Sequence, residues 1–171
     1  MNKALFLDRD GVINVDYAYV HRSENFEFID GIFELCLHYQ QLGYLIFVVT
    51  NQSGIARGYY SEKDFLYLST WMVQRFEERG VRISKVYFCP HHEEISGSCS
   101  CRKPEPGMLL QAQKEYDLDL ENSILVGDSQ RDIEAAARAG VKESYLFDKD
   151  GKYKDSHATK VVAHLDEIWK K

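Results

Sequence analysis

Nothing along this chain separates it into parts. It has no internal repeat, no low-complexity tract and no proline-, glycine- or serine-rich stretch of linker length. One domain spanning 1–171 is therefore expected, long enough to bury most of the surface an unfolded chain would expose. The first apolar run, Ala4 to Leu7, stops at Asp8, too soon for a signal peptide or spanning helix, so a cytoplasmic protein with no membrane partner is expected. Lysine- and arginine-rich runs are missing as well. With 21 basic against 27 acidic side chains the formal net charge is -6, which would repel a phosphate backbone and argues against nucleic acid as a partner. A long coiled-coil repeat is absent too, and a monomer is expected. Cysteines are few and unevenly placed. Cys89, Cys99 and Cys101 cluster with His91, while Cys36 stands alone in an apolar periodic stretch. In a cytosolic chain such clustering favours a metal over disulfides, and Cys36 reads as a small core residue.

What is present is ordinary globular material, 44% hydrophobic and 28% charged. Short apolar runs at 4–7, 45–49, 86–88 and 124–126 show little polar alternation, as expected of strands covered on both faces. Helical segments lie between them. One follows Asp30 as N-cap and ends near Gly43. A second starts with a capping box at Ser61 and Asp64 and closes at Gly80. Two more run from Gly107 to Tyr116 and from Arg131 to Ala139, the last ended by Gly140. The alternation predicts an α/β fold, an open and mostly parallel sheet with helices on both faces. Such sheets bind ligands at the carboxyl ends of their strands, where the polar motifs fall. Asp8-Arg9-Asp10-Gly11 follows the first strand, Thr50-Asn51-Gln52-Ser53-Gly54 the second, Cys89-Pro90-His91 the third and Gly127-Asp128 the fourth.

Asp8 and Asp10 by themselves could be two solvated carboxylates in a turn. With Thr50, Lys103 and Asp128, each at its own strand or loop end, they form a constellation suited to phosphoryl transfer. Asp132, one helical turn beyond Asp128, is placed either to support a metal-bound water and cap local amides or to sit solvated at a helix start. Arg9 should point to the opposite face of an extended segment and has no catalytic role. Cys89-x-His91 and Cys99-x-Cys101 give two close ligand pairs on one loop, 89–101, suited to a tetrahedral and therefore closed, structural zinc. His92 competes with His91 as the fourth ligand. The loop would place Arg102 and Lys103, which follow Cys101 directly.

Through FLDRDGV, VVTNQSG, RKP and VGDSQRD, in that order over nearly the whole chain, the sequence resembles the haloacid dehalogenase-like phosphatases. The resemblance implies a Rossmann-like fold and magnesium-dependent chemistry. Asp8 would be the nucleophile and Asp10 the general acid and base, with Thr50 and Lys103 holding the phosphoryl group. Magnesium would be held by Asp8, the backbone carbonyl of Asp10 and Asp128. The same pattern favours His91 over His92 for zinc. The zinc loop with CRKP is similar to the branch containing heptose 1,7-bisphosphate and histidinol-phosphate phosphatases, and the stretch 14–31 looks like the heptose enzymes. That likeness implies removal of the 7-phosphate of a heptose bisphosphate on the way to nucleotide-activated heptose. It also implies substrate contacts from Asp16, Tyr17, Ala18, Tyr19, Asn51, Gln52, Ser53, Arg102 and Lys103, with the segment at about 12–28 folding over the sugar. Histidinol phosphate or another small ester is the alternative substrate, and a zinc-stabilised phosphosugar-binding protein without turnover is the alternative class. One departure stands out: heptose enzymes often carry a basic residue after the metal-binding aspartate, and this chain has Ser129.

Overall fold

Side-chain alternation along β1 (Ala4–Leu7) explains the layering of the molecule. In the computed structural model, which describes residues 1–170, Leu5 and Leu7 face one apolar cluster while Ala4 and Phe6 face another. All four are fully buried, as a strand in the middle of a parallel sheet must be. The first cluster joins them to α1 (Ile32–Gln41) and α2 (Glu62–Glu78) through Leu35, Leu68, Met72 and Phe76. The second joins them to α4 (Gly107–Tyr116) and α5 (Gln130–Ala139) through Met108, Leu109, Ile133 and Ala136. A short α3 (Glu93–Ser96) sits in the cysteine-bearing loop. Among the described residues no helix is long and apolar enough to cross a membrane.

The sheet has six strands in the order β3-β2-β1-β4-β5-β6, comprising β2 (Leu45–Asn51), β3 (Ile83–Cys89), β4 (Ile124–Gly127), β5 (Glu143–Phe147) and β6 (Lys160–Val162). All neighbouring strands pair parallel. The strand order reverses between β1 and β4, and at such a switch point the connecting loops diverge and leave a crevice. Asp8 leaves β1 and Asp128 leaves β4 on either side of it.

Several expectations need correction. Helix α1 is capped by Gly31 at φ 88 and not by Asp30, because the chain turns through a left-handed conformation before the first helical residue. Strand β2 runs on through Thr50 and Asn51, which are ladder residues and do not follow the strand. Strands β5 and β6 were not expected. The stretch after β5 is an irregular loop up to Lys160, where β6 starts. The capping box at Ser61 and Asp64 is present in both directions at 3.0 Å.

Candidate active site

A tight turn leaves β1. The Arg9 carbonyl accepts the amides of Val12, Ile13 and Asn14 at 3.2, 2.8 and 3.2 Å, curling the chain back so that Asp8 and Asp10 remain at the crevice. Gly11 makes the turn possible twice over. Its φ is 92, and a Cβ there would lie 2.0 Å from Asp128 Oδ2.

Lys103 occupies the centre of the crevice floor and is only 4% exposed. Its ammonium donates to Asp132 Oδ1 at 2.6 Å, the Val49 carbonyl at 2.8 Å and Asp8 Oδ1 at 3.0 Å. Burial alone would lower its pKa, but Asp132 and Asp8 reverse the sign and hold it above the usual lysine value. The other oxygen of Asp132 accepts from the amides of Asp128 and Ser129 and from the Ser129 hydroxyl at 3.1–3.2 Å. Asp132 is thus a buried cap that positions Lys103, and the solvated alternative is excluded.

Ligand oxygens of Asp8, Asp128 and Asp132 lie within 4.8 Å of one another. Three carboxylates around one ammonium leave an excess of negative charge. Burial, then Asp132, pushes the Asp8 carboxyl well above its usual range, and the same two causes take Asp128 up to about 6. Such a crowded oxygen set suits a hard divalent cation.

Asp10 is held separately. Its Oδ1 accepts from Arg9 Nη2 at 2.8 Å and Asn14 Nδ2 at 3.0 Å, and its Oδ2 from Gln52 Nε2 at 3.0 Å. Arg9 does not point away from the site. It is buried beneath it, donating also to the Val20 carbonyl at 2.6 Å and lying 5.8–5.9 Å from the Phe26 and Phe65 rings. Asn51 is committed too. It accepts from the Lys103 amide at 2.9 Å and donates to the Lys103 carbonyl at 3.1 Å, bracing the loop against β2.

Around these residues opens a cleft of about 370 Å³. Asp16, Ala18, Tyr19, Asn51, Gln52, Ser53, Arg102 and Lys103 all line it. Thr50 lies buried beside it, its hydroxyl accepting from Gln52 Nε2 at 2.9 Å. Tyr17 does not reach the cleft, because its hydroxyl donates to Glu27 at 2.7 Å and its ring turns to solvent. Of the segment 12–28 only the tip meets the cleft, since Val12, Ile13, Val20 and Phe26 belong to the core.

Four lining side chains were missed by the sequence reading: Tyr60, Arg131, Lys152 and Tyr153. Asp148 accepts the amides of Lys152 and Tyr153, both at 2.9 Å, which curls that loop toward the cleft. Lys152 and Arg131 bring positive charge to a wall where Ser129 brings none. No pattern in the sequence marks where this loop leads.

Beyond Arg102, the three thiols and His91 converge. Cys89 Sγ lies 3.4 Å from His91 Nδ1, 3.6 Å from Cys99 Sγ and 2.6 Å from Cys101 Sγ. Cys101 Sγ lies 3.3 Å from His91 Nδ1 and 3.6 Å from Cys99 Sγ. A tetrahedron with Zn–S bonds of about 2.3 Å has edges of roughly 3.8 Å. Four of these five separations come near it, and the Cys89–Cys101 pair is tighter. Burial raises the Cys99 thiol, but the backbone amides of Arg102 and Cys101, together with the Cys89 and Cys101 thiols, outweigh it and lower it to about 7. His92 lies outside the cluster, pairing with Arg57 at 2.9 Å and capping α3.

Comparison with known proteins agrees with this geometry. Residues 100–169 match the HAD-hydrolase-like family. The chain is 51% identical over 153 residues to D-glycero-alpha-D-manno-heptose-1,7-bisphosphate 7-phosphatase of Campylobacter jejuni, covering 90% of this chain and 87% of that protein. It is 45% identical over 180 residues to the D-glycero-beta-D-manno-heptose-1,7-bisphosphate 7-phosphatase of Pasteurella multocida, covering 99% and 98%. Among solved structures, D,D-heptose 1,7-bisphosphate phosphatase from B. bronchiseptica, complexed with magnesium and phosphate, superposes with a TM-score of 0.86 at 31% identity, covering 97% of this chain and 95% of that one.

Proposed function

Because the chain belongs to the haloacid dehalogenase-like phosphatases, in the branch of the heptose-1,7-bisphosphate 7-phosphatases, we propose that it removes the 7-phosphate of D-glycero-D-manno-heptose 1,7-bisphosphate, a step toward nucleotide-activated heptose. The observation that carries the reading is the pairing of Asp8 with a buried Lys103 at the sheet's switch point, with Asp128 and Asp132 closing the cluster. A carboxylate attacks a phosphate ester poorly because both are negative. Lys103 offsets part of that repulsion and is fixed in place by Asp132. An Asp8 oxygen bonds to phosphorus as the ester P–O bond breaks, and Asp10 gives its proton to the departing sugar oxygen. Asp10 then takes a proton from water as that water attacks the phosphoaspartate, releasing phosphate and restoring Asp8. Thr50 donates its hydroxyl hydrogen to a phosphoryl oxygen.

Magnesium, held by Asp8, Asp128 and the Asp10 carbonyl, would supply the remaining charge neutralisation, and the carboxylate excess fits it. Zinc held by Cys89, His91, Cys99 and Cys101 would be structural, with no open position, and would fix the loop that carries Arg102 and Lys103. Arg102, Arg131 and Lys152 line the cleft and would offer positive charge to a second phosphate. Phosphate release from heptose 1,7-bisphosphate and from histidinol phosphate, each with magnesium and with EDTA, tests the reading. Faster, magnesium-dependent release from the heptose is expected. Preference for histidinol phosphate would keep the chemistry and replace the substrate, and release from neither would leave another small phosphate ester as substrate or a binding protein.

A further inference from the structure

Gln52 would touch substrate on the resemblance drawn above, yet its side chain is spent inside the protein. It is 2% exposed. Its Nε2 donates to Asp10 Oδ2 at 3.0 Å and to Thr50 Oγ1 at 2.9 Å, and its Oε1 accepts from the Tyr60 hydroxyl. Both amide hydrogens are therefore committed, one to the carboxylate that handles the proton and one to the hydroxyl that faces the phosphoryl group. The donation to Thr50 has a consequence. With its oxygen accepting from Gln52, the hydroxyl hydrogen must turn elsewhere, and it now makes a long 3.3 Å contact with the Asn51 carbonyl. A phosphoryl oxygen would replace that weak acceptor at little loss.

The Asp10 carboxylate, which only accepts, decides which end of the amide meets it, since reversing the amide would set an oxygen against it. Tyr60 holds the far end in place by donating its hydroxyl to Oε1. The Tyr60 ring cannot move aside. It stacks on His21 at 5.1 Å and 10°, and it fills the space above Gly54, where a Cβ would come within 2.2 Å of the ring. The path from the His21 loop to the reacting groups is thus a series of direct contacts: His21 on Tyr60, Tyr60 to Gln52, Gln52 to Asp10 and Thr50.

We propose that Gln52 is a positioning residue that sets the spacing of Asp10 and Thr50, that Tyr60 holds its amide in the productive orientation, and that neither contacts the sugar. The inference rests on the phosphatase reading above. It is tested with Gln52→Met, which keeps the length and burial but makes neither donation, together with Gln52→Glu and Tyr60→Phe. Each is assayed with magnesium on heptose 1,7-bisphosphate and on p-nitrophenyl phosphate, alongside its melting temperature. Misplacing a reacting group by about 1 Å can cost on the order of 100-fold in rate. A fall in kcat of that order is expected for Gln52→Met, with KM unchanged. Gln52→Glu should fall further, since it places a second carboxylate against Asp10, and Tyr60→Phe should fall less. A raised KM with unchanged kcat would make Gln52 a substrate contact and overturn the proposal, as would wild-type values for both constants. If Gln52→Met melts far below wild type, Tyr60→Phe decides: lowered kcat at a wild-type melting temperature supports the proposal, and unchanged kcat overturns it. Wild-type activity on p-nitrophenyl phosphate alone would remove the heptose assignment and leave the kcat comparison readable on that ester. Inactivity of the wild type on both would overturn the two readings together.

Discussion

Replacing Lys103 with methionine probes the cluster on which the proposed chemistry depends. The ammonium makes three contacts of 2.6–3.0 Å, two of them to buried carboxylates. Methionine keeps most of the apolar stem and removes the charge, leaving Asp8 and Asp132 without their cation. Removing one partner of a buried ion pair costs about 3–5 kcal/mol, because the remaining charge stays desolvated. In a domain of this size about 1 kcal/mol moves the melting temperature by 2–4 °C, so Lys103→Met should melt roughly 6–20 °C lower in EDTA. Protonation of the cluster could mask the effect, since burial and neighbouring carboxylates already raise the Asp8 carboxyl. The melts therefore belong on the alkaline side, at about pH 8, where ionisation of the cluster is favoured. Magnesium should act in the opposite direction. Three carboxylates without a central ammonium attract a dication more strongly, so the melting temperature gained on adding magnesium should be larger in the variant than in the wild type. The double variant Lys103→Met with Asp132→Asn removes one orphaned charge while keeping an oxygen that can cap α5, and it should recover part of the loss. Far-UV circular dichroism melts of the three proteins, in EDTA and in magnesium, measure all of this. A Lys103→Met protein melting within about 2 °C of wild type in EDTA, or gaining no more from magnesium than wild type does, would refute the reasoning.

Asp8→Asn should retain the fold, because an amide fits the same space, and should lose at least about 1000-fold in phosphate release as the nucleophile disappears; near-wild-type release would remove Asp8 from the mechanism. The metal-free protein should lose stability as pH rises from about 5 to 6. Asp8 and Asp128 bind protons more tightly folded than unfolded, Asp128 titrating at about 6, so folding is opposed as they ionise. The depressed carboxylates Asp64, Glu115, Asp148 and Glu167 have the opposite sign but act only below their unfolded values. Urea midpoints in EDTA that rise or stay flat across that window would contradict the cluster's electrostatics. Cys99→Ser should lower both zinc content, read by elemental analysis, and melting temperature, and full zinc content would remove Cys99 from the ligand set.

Short-range order was legible in the residues. The span Gly107–Tyr116, the capping box at Ser61 and Asp64 and the turn at Gly140 follow from local preferences, and the structure shows them where the sequence placed them. So was the position of Asp8 and Asp128 at strand ends, since an apolar run that stops at a carboxylate marks where a buried strand surfaces. Strand β6 was not legible because three residues carry no period, and β5 mixes Glu143 and Ser144 with its apolar residues. The Lys103 contacts to Asp132 and Asp8 join residues 29 and 95 positions apart. The Gln52 bond to Asp10 spans 42. No sequence period links such positions, and only the sheet order that sets β1 between β2 and β4 brings them together. Tyr17 and Tyr19 show the same division within one loop. The sequence treats them alike, but the turn at Ala18 and Tyr19, φ 63 and 56, keeps Tyr19 beside Tyr59 at the cleft while Tyr17 pairs with Glu27. Composition and local pattern thus determined the chemical types present and the strand ends that carry them. The direction each side chain takes, and which of them meet, was decided by packing, because burial and hydrogen-bond satisfaction depend on neighbours distant along the chain.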